Sequence, residues 1–161
     1  METLQTQIQV SARASFVLFI ITFSSYPIFK ISERNITKWF MFNRKYFGVT
    51  FALIHFYHLG LLVIKNNIFE PVFSQINLSF LISGIITYMF IAFMLLTSLP
   101  KVSDNLSEKQ WPRLHIIGGY IILTVFTVLY VRLALADKIY LPFAIMALFV
   151  WFLRLIFKKF I

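Results

Sequence analysis

The chain has 161 residues, of which 60% are hydrophobic and 13% charged, with fifteen Lys/Arg against six Asp/Glu and no cysteine. Soluble domains are roughly half apolar and a quarter charged. Together with a mean hydropathy of +0.82, this composition excludes a soluble globular domain, a disordered tail and a disulfide scaffold, and points to an integral membrane protein. The net charge of +9 has to be read first through where the cations stand around the apolar segments.

Five apolar stretches follow in chain order, about Val10–Phe29, Tyr46–Ile64, Leu78–Leu99, Leu114–Ala136 and Ile139–Phe157. A helix needs about 20 mostly apolar residues to cross the hydrocarbon core, and each stretch is near that length. The first is the weakest, interrupted by Ser24, Ser25 and Pro27; helices in lipid tolerate such residues where neighbours satisfy the backbone. The last has Pro142 in its first turn, where a missing N–H costs nothing. The short alternating segments of a membrane barrel are absent from the sequence. The expectation is an all-α bundle of five transmembrane helices forming a single domain over residues 1–161.

Cation placement gives the expected orientation. Lys30, Arg34, Lys38, Arg44 and Lys45 lie between the first two stretches, and Lys101, Lys109 and Arg113 between the third and fourth. Lys158 and Lys159 follow the fifth, with Arg154 one turn inside it. The opposite side holds Arg13, Lys65, Arg132 and Lys138. Positive residues stay cytoplasmic, so the N-terminus is expected outside and the C-terminus inside. The charge then records topology and contact with anionic lipid, and no nucleic-acid partner is expected. The first fourteen residues are polar with one cation, Arg13, and the first stretch is expected to be a retained helix, not a cleaved signal. No connection is long enough for a soluble domain, so any flavin or nucleotide chemistry would belong to a partner.

All six carboxylates (Glu2, Glu33, Glu70, Asp104, Glu108 and Asp137) fall in tails or loops. That weighs against a proton-coupled transporter, an ion pump and paired-carboxylate hydrolysis. Without cysteine there is no thiol catalysis, thiolate haem ligation or iron–sulfur cluster in this chain. The three histidines remain, all in or at the edge of apolar stretches: His55, His58 and His115. An imidazole in an apolar helix must be hydrogen-bonded or ligated. His55 and His58 share a helix face, but a zinc or di-iron site would need carboxylates at that depth. Haem needs only one or two histidines in an apolar slot. Fourteen residues separate Arg44 from His58, about 21 Å along a helix, and both return to one face. His115 follows Arg113 at the inner border of the fourth stretch, level with Arg44 and far from His58. Two histidines at such depths imply two cofactor levels.

These features resemble the ferric-reductase-like transmembrane family, most closely its haem-binding membrane subunits of bacterial methionine sulfoxide reductase systems. The resemblance rests on Asn43-Arg44-Lys45-Tyr46-Phe47-Gly48 followed by His58, on Leu95-Leu96-Thr97-Ser98, and on Lys109-Gln110-Trp111-Pro112-Arg113-Leu114-His115. It covers about residues 15–157. It implies one or two b-type haems, with His58 ligating an outer haem iron, His115 an inner one, and Arg44 facing His115 as a weak ligand or propionate partner. It also implies electron transfer between a cytoplasmic-side reductase and an outer-side acceptor, in a bacterial inner membrane, with flavin only on a partner. The chain would then be a subunit of an oxidoreductase system, not a self-contained enzyme.

Two positions depart from the family. Its second histidine in the fourth span corresponds to Val128 here, and its first of six spans has no counterpart, so an additional membrane subunit could replace that helix. The alternative is a haem-free or single-haem relative acting as a structural or assembly subunit. Tyr130 lies near the depth of the lost ligand, although a tyrosine at a helix end is ordinarily an interfacial anchor. Gly118 and Gly119 could admit a porphyrin edge or serve tight helix packing. Thr97 and Ser98 are expected to bond back onto their own helix or to mark its end.

Overall fold

A computed structural model describes residues 2–66 and 78–157. The connection 67–77 with Glu70, and the tail 158–161 with Lys158 and Lys159, lie outside the described residues. The chain forms α1 (Glu2–Ile31), α2 (Asn35–Asn66), α3 (Leu78–Leu96), the one-turn α4 (Pro100–Ser103), α5 (Gln110–Ala136) and α6 (Leu141–Ile156). A 3-10 turn, Lys138–Tyr140, joins α5 to α6. No strand occurs among the described residues.

Four segments are long and apolar enough to cross a membrane: Thr3–Ile31, Asn35–Lys65, Gln110–Ala136 and Lys138–Ile156. The expected third span, 78–99, is the short one. Its helix stops at Leu96, and its 19 residues rise about 28 Å against a hydrocarbon core of about 30 Å. Thr97–Leu99 form a turn, where Pro100 ends any continuation and opens α4. By contrast α2, with 32 residues, rises about 48 Å and outruns that core. Its surplus is the N-terminal part that carries Trp39, Lys38, Arg44, Lys45 and Tyr46, residues suited to an interface.

The long helices close into a ring. α1 lies along α2, α2 touches α3, α3 touches α5, α5 touches α6, and α6 returns to α1. Residues 32–34 make the α1–α2 turn, where the Thr37 hydroxyl donates to the Ser32 and Arg34 carbonyls. Ser11 meets His58 at one end of this hairpin and Thr22 meets Gly48 towards the other, so the two helices are antiparallel. α1 is antiparallel to α5 as well, since Phe16 meets Phe126 and Tyr130 while Phe23 meets Tyr120. α2 and α5 are therefore parallel.

The apolar stretch weakest in sequence is the most enclosed helix. In α1, 44% of the apolar window is buried, against 22% in α2. Phe16, Phe19 and Phe23 recur at helical spacing and fill the centre of the ring against Phe51 of α2 and Phe126 of α5. Ser11, Ser15, Ser24 and Ser25 are buried with them, and each hydroxyl bonds back to a carbonyl of α1. A helix with this much of its surface against protein needs less lipid-facing hydrophobicity, which accounts for its weaker signal. Tyr130 departs from the interfacial role: only 3% exposed, it sits between Phe16 and Phe143 at centroid distances of 4.4 and 5.1 Å.

Candidate functional site

At the end of the ring that carries Arg44 and His115 there is a cavity of about 340 Å³. Ligand sites are usually about 300–1,000 Å³. All five long helices line it: Phe19, Phe23 and Tyr26 of α1; Arg44, Lys45, Gly48 and Phe51 of α2; Ile91 and Met94 of α3; Trp111 and His115 of α5; and Arg154 of α6. Its wall is apolar and aromatic, and among the described residues its charged groups are all cations and no carboxylate lines it. Arg44 and Lys45 are exposed, which places the basic mouth at the end of the bundle.

His115 is fixed by a knot between the end of α3 and the start of α5. The Trp111 indole N–H donates to the Thr97 carbonyl at 3.0 Å. That carbonyl is one of those a helix C-terminus leaves without an intrahelical partner. The Thr97 hydroxyl lies 2.7 Å from the Phe93 carbonyl and 3.1 Å from His115 Nε2, linking the imidazole to the end of α3. Trp111 also stacks on the imidazole, with centroids 4.1 Å apart. Thr97 and Ser98 do bond back onto α3, Ser98 at 2.7 Å from the Met94 carbonyl. The further role of Thr97 as partner to both Trp111 and His115 is tertiary.

Arg154 is the cavity residue that sequence reading counts only as an inner-side cation. It is 9% exposed. Its Nε and Nη2 both donate to the Phe23 carbonyl, at 3.0 and 2.6 Å, and its guanidinium lies 3.8 Å over the Phe23 ring. The reason lies in α1. The Phe23 carbonyl would normally accept from the N–H of residue 27, and Pro27 has none. Left open in an apolar bundle, that carbonyl would cost several kcal/mol, roughly. Arg154 is the neighbour that satisfies it. A sequence signal existed: a buried proline four residues after a carbonyl obliges some other helix to supply a donor.

His55 and His58 occupy the other end of the α1–α2 hairpin and face α1. His55 Nδ1 lies 3.1 Å from Ser15 Oγ, and His58 Nδ1 lies 3.0 Å from Ser11 Oγ. Each serine proton is directed to a carbonyl of its own helix, at 2.9 Å from Ala12 and 2.7 Å from Gln7. Each serine thus joins an imidazole Nδ1 to a carbonyl of its own helix. Between His55 and α5 stands the Phe126 ring, 5.7 Å away, and Tyr88 of α3 stacks on His55 at 4.9 Å. Val128 does not face this group; it is 53% exposed on the outer surface of α5.

Gly118 and Gly119 do not border the cavity. A Cβ at Gly119 would strike the Phe23 ring and one at Gly118 would meet Met94 and Phe90, so both glycines serve close packing. No three His, Cys, Asp or Glu side chains converge on a metal-sized site among the described residues. His115 and Arg44 share the basic-mouthed cavity, whereas His58 lies at a separate level with His55. The sequence matches neither a known family model nor a curated protein.

Proposed function

We propose that this chain is a b-type haem subunit of a membrane oxidoreductase system, holding a single haem in the cavity beside His115. The observation that carries this reading is the cavity itself. It combines one fixed imidazole, apolar walls for a porphyrin and a cationic mouth at Arg44 and Lys45 for its carboxylates. The motif resemblance names two of these residues, His115 and Arg44, while the His58 it also names lies outside the cavity. The donor set fits a haem ligated by His115 Nε2 in place of the Thr97 hydroxyl.

When bound, haem would supply a one-electron couple. The protein's own contribution is to hold the His115 ring against Trp111, whose indole is tied to the Thr97 carbonyl, exclude water with Phe19, Phe51 and Ile91, and raise the local positive potential. In this reading the chain crosses a bacterial inner membrane five times, N-terminus outside and C-terminus cytoplasmic, with the short α3 as the third span. The cavity then faces a cytoplasmic-side reductase, which would carry any flavin. The wedge of Phe126 beside His55 and the outward Val128 favour one haem over two. Onward transfer to an outer-side acceptor would use a partner subunit.

A haem-free structural subunit is the second reading. It is favoured by His115 itself, whose Nε2 and ring face already have protein partners. The two separate in a reduced-minus-oxidised absorption spectrum of the detergent-purified protein, with a haem-to-protein ratio. The haem reading expects a b-type signal near one haem per chain, lost in His115→Ala and retained in His58→Ala. A folded, colourless protein prepared with ample haem would refute it.

A further inference from the structure

Arg154 has more hydrogen-bonding capacity than its protein partners use. A guanidinium has five N–H donors. Nε and one Nη2 proton converge on a single oxygen, the Phe23 carbonyl, which is the acceptor they meet among the described residues. The Phe23 ring beneath the guanidinium is neutral, and the titratable groups around it are the tyrosines Tyr26 and Tyr120 and the cation Arg44. The full positive charge is nine-tenths buried and lines a cavity whose other charged residues, Arg44 and Lys45, are cations. The described carboxylates Glu33, Asp104, Glu108 and Asp137 are all exposed and none lines the cavity. Ionisable groups inside a membrane protein are ordinarily paired, or mark a ligand path.

We propose that Arg154 is an anion receptor in this cavity, its guanidinium taking the carboxylate or phosphate group of an amphiphile whose apolar body lies against Phe19, Phe51 and Met94. The planar fork of arginine matches both groups through parallel N–H···O bonds. A small hydrated anion is disfavoured by the apolar wall, which needs an apolar body to cover it. Arg44 and Lys45 at the mouth would draw the anion inward. The assignment rests on the cavity and on Arg154, and it shares the haem reading only where the anion is a haem propionate.

Capping the carbonyl freed by Pro27 would by itself explain a buried arginine, so the test separates the two roles. Pro27→Ala restores the N–H that pairs with Phe23 and relieves Arg154 of that duty. The full chain, Pro27→Ala, Pro27→Ala/Arg154→Met and His115→Ala are purified in dodecyl maltoside, whose headgroup carries neither phosphate nor carboxylate. Binding of phosphatidylglycerol and of haemin is then measured separately, with folding monitored by circular dichroism.

Pro27→Ala is expected to bind as the parent chain does. Adding Arg154→Met should weaken at least one probe by about tenfold or more, the size expected for a lost charge-assisted pair. Loss confined to phosphatidylglycerol identifies a lipid phosphate, and loss confined to haemin a propionate. Equal binding of both probes with and without Arg154 in the Pro27→Ala background overturns the proposal, as does a parent chain that binds neither. Haemin binding that needs His115, with binding of both probes indifferent to Arg154, would leave the haem reading standing and this one refuted. Arginine-dependent phosphatidylglycerol binding without haemin binding would do the reverse.

Discussion

The helical glycines allow a graded prediction, because their surroundings differ while the substitution stays the same. Gly→Ala in a helix is intrinsically favourable by about 0.5–1 kcal/mol. At Gly60 and Gly84 nothing lies within 4 Å of the added methyl, so alanine should realise that gain. At Gly118 the added Cβ meets mainly the flexible end of Met94, which can swing aside, and the net effect should be near zero. At Gly119 it would collide with the Phe23 ring, which has no free direction. Phe19 stacks on it at 5.4 Å, Tyr120 packs edge-on at 5.5 Å, and the Arg154 guanidinium covers it at 3.8 Å. Overpacking of this kind costs about 1–3 kcal/mol. After the intrinsic gain, Gly119→Ala should be destabilised by up to about 2 kcal/mol, and the Arg154 platform should be disturbed with it. The assay is SDS-induced unfolding in mixed micelles, followed by far-ultraviolet circular dichroism, for all four single variants. If Gly119→Ala is as stable as Gly60→Ala, the seating of the Phe23 ring against Gly119 is wrong.

Two further outcomes follow from the histidine level. Ser15→Ala should cost about 1–3 kcal/mol, because it leaves the buried His55 Nδ1 without its hydrogen-bond partner. In a double-mutant cycle with His55→Phe, most of that cost should disappear; strictly additive effects would show that the pair is not coupled. Val128→His, which places a histidine where the resembled family has its second one, should on the haem reading leave the haem-to-protein ratio unchanged, because the side chain at this position points to the outer surface of α5. A ratio that rises by one haem would mean that α5 can rotate this face inward.

Composition and apolar run length are enough to specify an all-helical membrane-type bundle, because a bilayer leaves a chain with few ways to satisfy its backbone. Cation order and helix rise place Arg44 level with His115 and away from His58, since depth along a helix is linear in residue number. Which groups face one another is not legible in the same way. Helices that are apolar nearly all round have no polar face to orient them, so sequence alone does not show that Ser11 and Ser15 meet His58 and His55. Nor does it show that Phe126 stands against His55, or that Val128 points outward. Pro27 and Arg154 illustrate the division most clearly. The sequence determines that Pro27 leaves the Phe23 carbonyl without a helical donor and that Arg154 must hold its charge near an apolar end. Only the packing of α6 against α1 joins these two deficits into one contact, because each is relieved by a partner more than a hundred residues away in the chain.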